Sequence, residues 1–274
     1  RPARTLYASD EDYVRLGERV QAQFVAHGAF DGDVCFMRKD GSPVWARVQG
    51  RGVRAHDMAG GTVWILEDLT AAREAQQQQD WAAIHDPLTQ LCNREAFVQR
   101  MGVLLAERSA RARTPGVEAV DAAEGEGDGV MLFLDLDHFT VVNDLAGHDA
   151  GDDVLRHVAR LLESHVRQIG WAARLGGDEF AVVLPGCSLA RGQALAEQLR
   201  AAVQAWEPSY QGRSFTLGVS IGLVVLDASL QDVPSVLYAA DMACYDAKRA
   251  GRNRVETRHA DQAAASGRLA LGPV

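Results

Sequence analysis

The run Val130-Met131-Leu132-Phe133-Leu134-Asp135-Leu136-Asp137 restricts the fold more than any other feature of the chain. Its unbroken apolar opening reads as a buried strand, and two carboxylates end it. A helix follows, with Val154, Leu155, Val158, Leu161, Leu162 and Val166 at helical spacing. Trp171 to Leu175, the turn Gly176-Gly177-Asp178 and Phe180 to Leu184 then form a hairpin. A helix carrying Leu195, Leu199 and Val203, a strand from Phe215 to Leu226 and a helix from Val236 to Lys248 close the series. Ahead of it, Asn93 caps a helix with Phe97, Met101, Leu104 and Leu105 on one face. The order β-α-β-β-α-β predicts an α+β, ferredoxin-like sheet. In it the end of the first strand lies beside the hairpin, so Asp135, Asp137 and the turn 176–179 converge on one sheet edge.

The N-terminal part is smaller. Ser9 and Asp12 form a capping pattern ahead of Tyr13, Leu16, Val20 and Phe24, and Gly28 stops the helix. Val34 to Lys39, the turn Asp40-Gly41 and Val44 to Val48 predict a hairpin. A third strand, Thr62 to Leu66, follows a turn at Gly60-Gly61. This helix and three-stranded meander make a small, incomplete core. Thr70 to Ile84 reads as a helix capped by Thr70, with a polar run Gln76 to Gln79 and a thin stripe of Leu69, Ala72 and Ala83. It is either a linker or one strand of a parallel coiled coil. Pro115 to Gly129, with Glu118, Asp121, Glu124, Glu126 and Asp128, reads as an acidic loop, and the chain from about Thr257 as a frayed tail.

Charge excludes some functions. With 28 basic and 37 acidic residues the formal charge is −9, which argues against coating nucleic acid or anionic lipid by bulk charge. No stretch has the length of a membrane span and no signal pattern opens the chain. Cys35, Cys92, Cys187 and Cys244 are scattered, which suggests neither zinc knuckle nor disulfide framework. The reading is a soluble, reduced, cytoplasmic protein, and the absence of an initiating Met reads as a piece of something longer.

The candidate chemistry lies at the sheet edge. Asp135 and Asp137, two apart on a strand, project to one face. They are solvated strand-end acids, or ligands for a hard cation bound with nucleotide phosphates. Gly176 and Gly177 allow positive φ and a close backbone approach to an anion, and Asp178 and Glu179 can complete a metal site. A plain hairpin turn would need no Glu after the Asp. Asn143, Asp144 and the stretch Gly147 to Asp152 lie between strand and helix, where an amide and a carboxylate suit the edge of guanine. Asp149 or Asp152 can equally cap the helix. Lys248 and Arg252 either complement a helix C-terminus or neutralise phosphates. Together these groups describe a site for phosphoryl or nucleotidyl transfer.

From about residue 84 to 257 the chain resembles the GGDEF domain of diguanylate cyclases, with Gly176-Gly177-Asp178-Glu179-Phe180 intact. Supporting motifs are Asp86-Pro87-Leu88-Thr89 with Asn93-Arg94, Leu134 to Phe139, Asn143-Asp144, Gly147-His148, Ser220-Ile221-Gly222, Ala240-Asp241 and Gly251-Arg252-Asn253. The resemblance implies a nucleotidyl-cyclase-like fold. It also implies condensation of two GTP to cyclic di-GMP and two pyrophosphates across a homodimer, each subunit holding half an active site. Asp135, the Leu136 carbonyl and Asp178 would hold Mg2+ or Mn2+, and Glu179 would add a ligand or help activate the 3′-OH. Asn143 and Asp152 would read guanine. The backbone around His138, Phe139, Gly176 and Gly177, with Lys248 and Arg252, would hold phosphates. The N-terminal part resembles the C-terminal half of a PAS sensor, through Lys39-Asp40-Gly41 with Trp45, and Val63-Trp64-Ile65 leading to Asp68-Leu69-Thr70.

The expected organisation is thus a partial PAS-like sensor over 1–70, a linker helix over 71–84, a GGDEF domain over 85–257 and a disordered tail over 258–274. Three departures from the family pattern stand out. Thr140 replaces a Lys that contacts phosphate, Gln90 a Gly, and Gly170 the Asp of the Arg-x-x-Asp product-inhibition site that begins at Arg167. Thr140 supports an alternative: a weakly active or inactive module that binds GTP and serves signalling. A regulatory half of a larger protein, with a phosphodiesterase domain, is a third reading.

Overall fold

The computed structural model describes residues 3–54, 57–112 and 127–258. Glu118, Asp121, Glu124 and Glu126 of the acidic stretch, and the tail beyond 258, lie outside the described residues. The chain divides into two compact units, Arg1–Trp81 and Ala82–Val274.

In the first unit α1 spans Asp10–His27. The Ser9 hydroxyl accepts the Asp12 N–H at 3.1 Å, and Gly28, left-handed at φ 71°, returns its N–H to Phe24 O. Strands β1 (Ala29–Met37), β2 (Pro43–Arg54) and β3 (Asp57–Asp68) form an antiparallel meander in the order β1-β2-β3. Phe24, Phe30, Val34, Ala46 and Val48 make its core. The sequence placed a turn at Gly60-Gly61. Both glycines instead lie inside β3, opposite a register shift between Gly52 and Arg54, so their conformational freedom serves an irregularity in the ladder. On the edge strand β3, Val63, Trp64, Ile65 and Leu66 are all exposed. Helix α2 spans Thr70–Ile84, with no buried residue. Thr70 is its first residue rather than its cap. Its hydroxyl accepts the Trp45 N–H at 3.0 Å, and Asp68 accepts the Thr70 N–H at 2.8 Å.

In the second unit, α3 (Arg94–Ala112) precedes β4 (Val130–Asp137), α4 (Phe139–Ala146) and α5 (His148–Val166). The hairpin β5 (Trp171–Gly176) and β6 (Glu179–Leu184) leads to α6 (Leu189–Ala205) and a minor hairpin, β7 (Ser209–Tyr210) and β8 (Arg213–Ser214). Then come β9 (Gly218–Val225), α7 (Val233–Arg249) and β10 (Val255–Arg258). The sheet order is β10-β9-β4-β6-β5, antiparallel except for β10 on β9. The buried-strand reading of 130–137 accounts for the centre: β4 has a layer on each face. Leu132, Leu134 and Leu136 pack with Val154, Leu162 and Leu199 of α5 and α6. Met131 and Phe133 pack with Phe97, Met101, Val236 and Ala240 of α3 and α7. Each fully buried Leu or Phe of these layers contributes about 1.5–3 kcal/mol of hydrophobic stabilisation.

Several elements were not foreseen, the minor hairpin of β7 and β8 among them. Helix α4 separates from α5 because Gly147 (φ 89°) interrupts the helical path, while the left-handed His138 (φ 61°) turns the chain from β4 into α4. Thr257 and Arg258, expected in a frayed tail, belong to β10, and Arg258 Nε donates to Asp246 of α7 at 2.8 Å. Capping of α5 by Asp149 or Asp152 is not observed. Gly147 occupies that position without a side-chain bond, and Asp152 lies 3.8 Å from Arg156.

Candidate functional site

Asp135 of β4 is paired with Glu179 of β6 and with Ser220 of β9. By strand alternation Asp135 and Glu179 face the α7 side of the sheet, and Lys248 of α7 meets Asp135 Oδ2 at 2.6 Å. The Leu136 N–H donates to Asp178 O at 3.4 Å. The N–H and C=O of one strand residue point to the same edge, so the Leu136 carbonyl also faces the glycine turn.

In that turn Gly177 is left-handed at φ 48°. Arg174 holds it: Nε and Nη2 donate to Gly177 O at 3.0 and 2.8 Å, and Nη1 donates to Asp86 Oδ1 at 3.1 Å. Asp86 also accepts the Thr89 N–H at 2.8 Å and hydroxyl at 2.6 Å. Burial pushes the Asp86 carboxyl up, but the Thr89 and Arg174 bonds outweigh it and hold it below the ordinary carboxylate value. Arg174 was missed in the sequence, although an arginine inside the apolar run Trp171 to Leu175 is itself a signal of a paired, half-buried cation.

The acids crowd one another. Burial raises Asp135, Asp178 and Asp137 add to the rise, and the Lys248 bond only partly opposes it. Burial raises Glu179 as well, with Asp135, Asp241 and Asp178 adding and Arg94 opposing. Burial would lower Lys248, yet its bond to Asp135 wins and its ammonium is held above the ordinary value. Asp241, on α7, is thus a further acid of this cluster beyond those singled out from the sequence.

Hard oxygen donors with mutually repelling charges suit a divalent cation, so Asp135, Asp178, Glu179 and the Leu136 carbonyl fit one chemically. Among the described residues, no three His, Cys, Asp or Glu side chains form a ready cage.

Asp137 departs from the sequence reading of an acid pair. It is 4% exposed, accepting the Ser220 hydroxyl at 2.8 Å and the Asn253 N–H at 2.9 Å. Asp135 and Asp137 share a face but serve different partners.

The structure brings Asn143 of α4 and Asp152 of α5 to one helix junction. A Cβ placed on Gly151 would lie 1.9 Å from Asn143 Oδ1, so the amide rests directly over the residue before Asp152. His138 is exposed at the N-terminus of α4 and makes no side-chain cap bond, and Phe139 packs partly on the core. Thr140 is exposed. Helix-start N–H groups here have no partner within their own helix and suit an anion. Arg252 is exposed and left-handed (φ 63°) just beyond α7.

Arg167 caps the end of α5. At Gly170 a Cβ would sit 2.0 Å from Val183 O. A cavity of 520 Å³ lined by Gln168, Leu184, Cys187 and Arg191 lies at the far end of β6 from the acids. No described helix is long and apolar enough to cross a membrane.

Residues 83–254 match the family model described as "Diguanylate cyclase, GGDEF domain". The chain is 36% identical over 205 residues to the probable diguanylate cyclase DgcE of Escherichia coli, covering 75% of this chain. It is 38% identical over 190 residues to the diguanylate cyclase DgcP of Pseudomonas aeruginosa, covering 69% of this chain. It spans only 17% and 26% of the length of these two relatives. Among solved structures it is similar to the coiled coil and GGDEF domain of DgcB from Caulobacter crescentus in complex with c-di-GMP. The TM-score is 0.59 at 29% identity, over 69% of this chain and 93% of that one.

Proposed function

This chain belongs to the GGDEF-domain family, and on that premise we propose that it condenses two GTP into cyclic di-GMP with release of two pyrophosphates. The observation that carries the proposal is the gathering of Asp135, Asp178, Glu179 and Lys248 at one sheet edge, with Leu136 tied to the turn.

In this reading Asn143 and Asp152 bind guanine. Backbone N–H groups around His138, Phe139, Gly176 and Gly177 approach the phosphates, and Arg174 keeps the glycine turn in shape. Mg2+ or Mn2+, held by Asp135, the Leu136 carbonyl, Asp178 and Glu179, would supply charge neutralisation at the phosphoryl group. Lys248 offsets Asp135 in the free protein and turns to phosphate once Asp135 is engaged elsewhere. Glu179 serves either as one of these ligands or, where it is not bound to the ion, by taking the proton of the 3′-OH as that oxygen attacks the α-phosphorus of the facing nucleotide. Pyrophosphate leaves as the new P–O bond forms. One chain positions one nucleotide, so the reaction needs a homodimer. We further propose that the first unit is part of a PAS-like sensor, with α2 as its linker to a catalytic domain over 85–257.

Incubation with GTP and Mg2+ followed by chromatography tests this. Cyclic di-GMP is expected, at a rate per chain that rises with chain concentration. GTP binding without product would favour the second reading, a signalling module, which Thr140 specifically supports. Thr140→Lys is then expected to raise turnover by restoring a charge-assisted phosphate contact, about tenfold. Unchanged turnover would clear Thr140 of the defect.

Product feedback at Arg167 is expected to be weak, and not repairable by one substitution. A side chain at Gly170 collides with the Val183 backbone, so Gly170→Asp is expected to lose about 1–3 kcal/mol of stability and gain no inhibition by cyclic di-GMP. Calorimetry of product binding and thermal melts check both halves.

A further inference from the structure

We infer that Asp137 is a positioning residue that fixes the turn carrying Arg252, and not a ligand of the divalent cation. The inference rests on reading the sheet edge as a nucleoside triphosphate site.

Although Asp137 lies two residues from Asp135 on the same strand face, its oxygens are engaged by neutral donors. Oδ1 accepts the Ser220 hydroxyl at 2.8 Å from the neighbouring strand β9. Oδ2 accepts the Asn253 N–H at 2.9 Å, a residue 116 positions away in sequence. Lys248, the cation of the cluster, goes to Asp135.

The partner turn is strained. Arg252 and Asn253 are consecutive non-glycine residues with φ of 63° and 45°. Such a pair is costly and persists only where its surroundings dictate it. The Arg252 N–H returns to Ala247 O at 3.0 Å, closing the end of α7. Arg200 Nη1 donates to Asn253 Oδ1 at 3.2 Å. The bond from the Asn253 N–H to Asp137 joins the turn to the end of β4, and it is the backbone bond of the turn with an ionisable acceptor. A hydrogen bond to a carboxylate exceeds one to a carbonyl in strength.

Arg252 itself is exposed, with no hydrogen bond or ion pair from its side chain to any described residue. Its placement beside the phosphates is therefore set by its backbone. The backbone is set by a carboxylate on the strand that also carries Asp135. Asp137 acts on the nucleotide through Arg252, by pre-organisation.

The test is equilibrium binding of 3′-deoxy-GTP, which lacks the attacking hydroxyl, across a magnesium series. It compares the wild-type chain with Asp137→Ala, Arg252→Ala and the double variant. Each single change is expected to weaken binding about tenfold, the loss of one charge-assisted contact, and the double variant to bind no more weakly than Arg252→Ala alone. Asp137→Asn, which can accept from Asn253 and donate to the Ser220 hydroxyl but lacks the charge, is expected to lose less affinity than Asp137→Ala and to keep the full response to magnesium. Additive losses in the double variant, or an affinity for 3′-deoxy-GTP that no longer responds to magnesium in Asp137→Asn, would overturn the assignment. If Asp137→Ala does not fold, Asp137→Asn decides: a retained magnesium response supports the inference, and a loss that persists in the Arg252→Ala background sinks it. Failure of the wild-type chain to bind 3′-deoxy-GTP would instead remove the triphosphate reading, and this inference with it.

Discussion

Glu179→Gln is expected to melt at a higher temperature than the wild-type chain at neutral pH, without metal or nucleotide, while cyclic di-GMP formation falls roughly 10³-fold. Burial and the charges of Asp135, Asp241 and Asp178 raise the Glu179 carboxyl above its ordinary value. A carboxylate raised on folding is one whose ionised form the fold disfavours. The penalty is fully present above the folded-state value and is relieved as pH falls through it toward the unfolded value. Gln has no such penalty, so its advantage is greatest at neutral pH and vanishes in acid below the ordinary carboxylate range. The same substitution removes the carboxylate proposed above as a ligand of the cation or as the acceptor of the 3′-OH proton. A melting temperature that falls at neutral pH would mean that the attraction of Arg94 outweighs the crowding of acids. Thermal melts across pH, beside the chromatographic assay, separate the two effects.

Gly151→Ala is expected to leave the protein folded and weaken GTP binding about ten- to a hundredfold, the range for losing one or two polar contacts to a buried base edge. The new methyl group would lie 1.9 Å from Asn143 Oδ1, the end of a side chain that can swing aside, and 3.1 Å from Phe139 Cζ, which has to give by a few tenths of an ångström. Stability is therefore little affected, and Ala in place of Gly inside α5 adds helix propensity. The amide that would read guanine is what moves. The preference for GTP over ATP should narrow, with turnover at saturating GTP close to wild type. Unchanged GTP affinity would show that Asn143 does not touch the base.

Much of the fold is legible in the amino-acid sequence. The apolar run of β4 had to be central, and the hydrophobic faces of α3, α5, α6 and α7 had to cover its two sides. The hairpin motif had to sit beside the β4 carboxylates, because the element order allows little else. What escaped depends on partners distant in the chain. Val255 to Arg258 is too polar to announce a strand, and becomes one by lying parallel to β9. The entry into α4 rests on the left-handed backbone of His138 and the break between α4 and α5 on Gly147, which a helical period cannot show. Gly60 and Gly61 looked like a turn because glycine pairs usually are, yet a bulge uses the same freedom. At the site, the element order pointed Asp135 and the turn carrying Asp178 and Glu179 to one edge, while Lys248 stayed open between complementing a helix end and binding phosphate. The role of Asp137 was hidden because its partner, Asn253, is remote in sequence. Arg174 was hidden because its partners are a backbone carbonyl and Asp86.

That commitment of Arg174 to Gly177 and Asp86 has a bearing on how a nucleotide first arrives. A guanidinium bound to a neighbouring backbone carbonyl and to a half-buried acid contributes little to the long-range field. Lys248 is likewise cancelled by Asp135. What a free triphosphate senses at a distance is then the excess of Asp178, Glu179 and Asp241 over Arg94 and the exposed Arg252, a net acidic field that slows diffusion-controlled encounter. Dissolved salt, which shortens the reach of such a field to about 8–10 Å near physiological strength, would ease capture of bare nucleotide here. Pockets lined with unpaired basic residues behave in the opposite way.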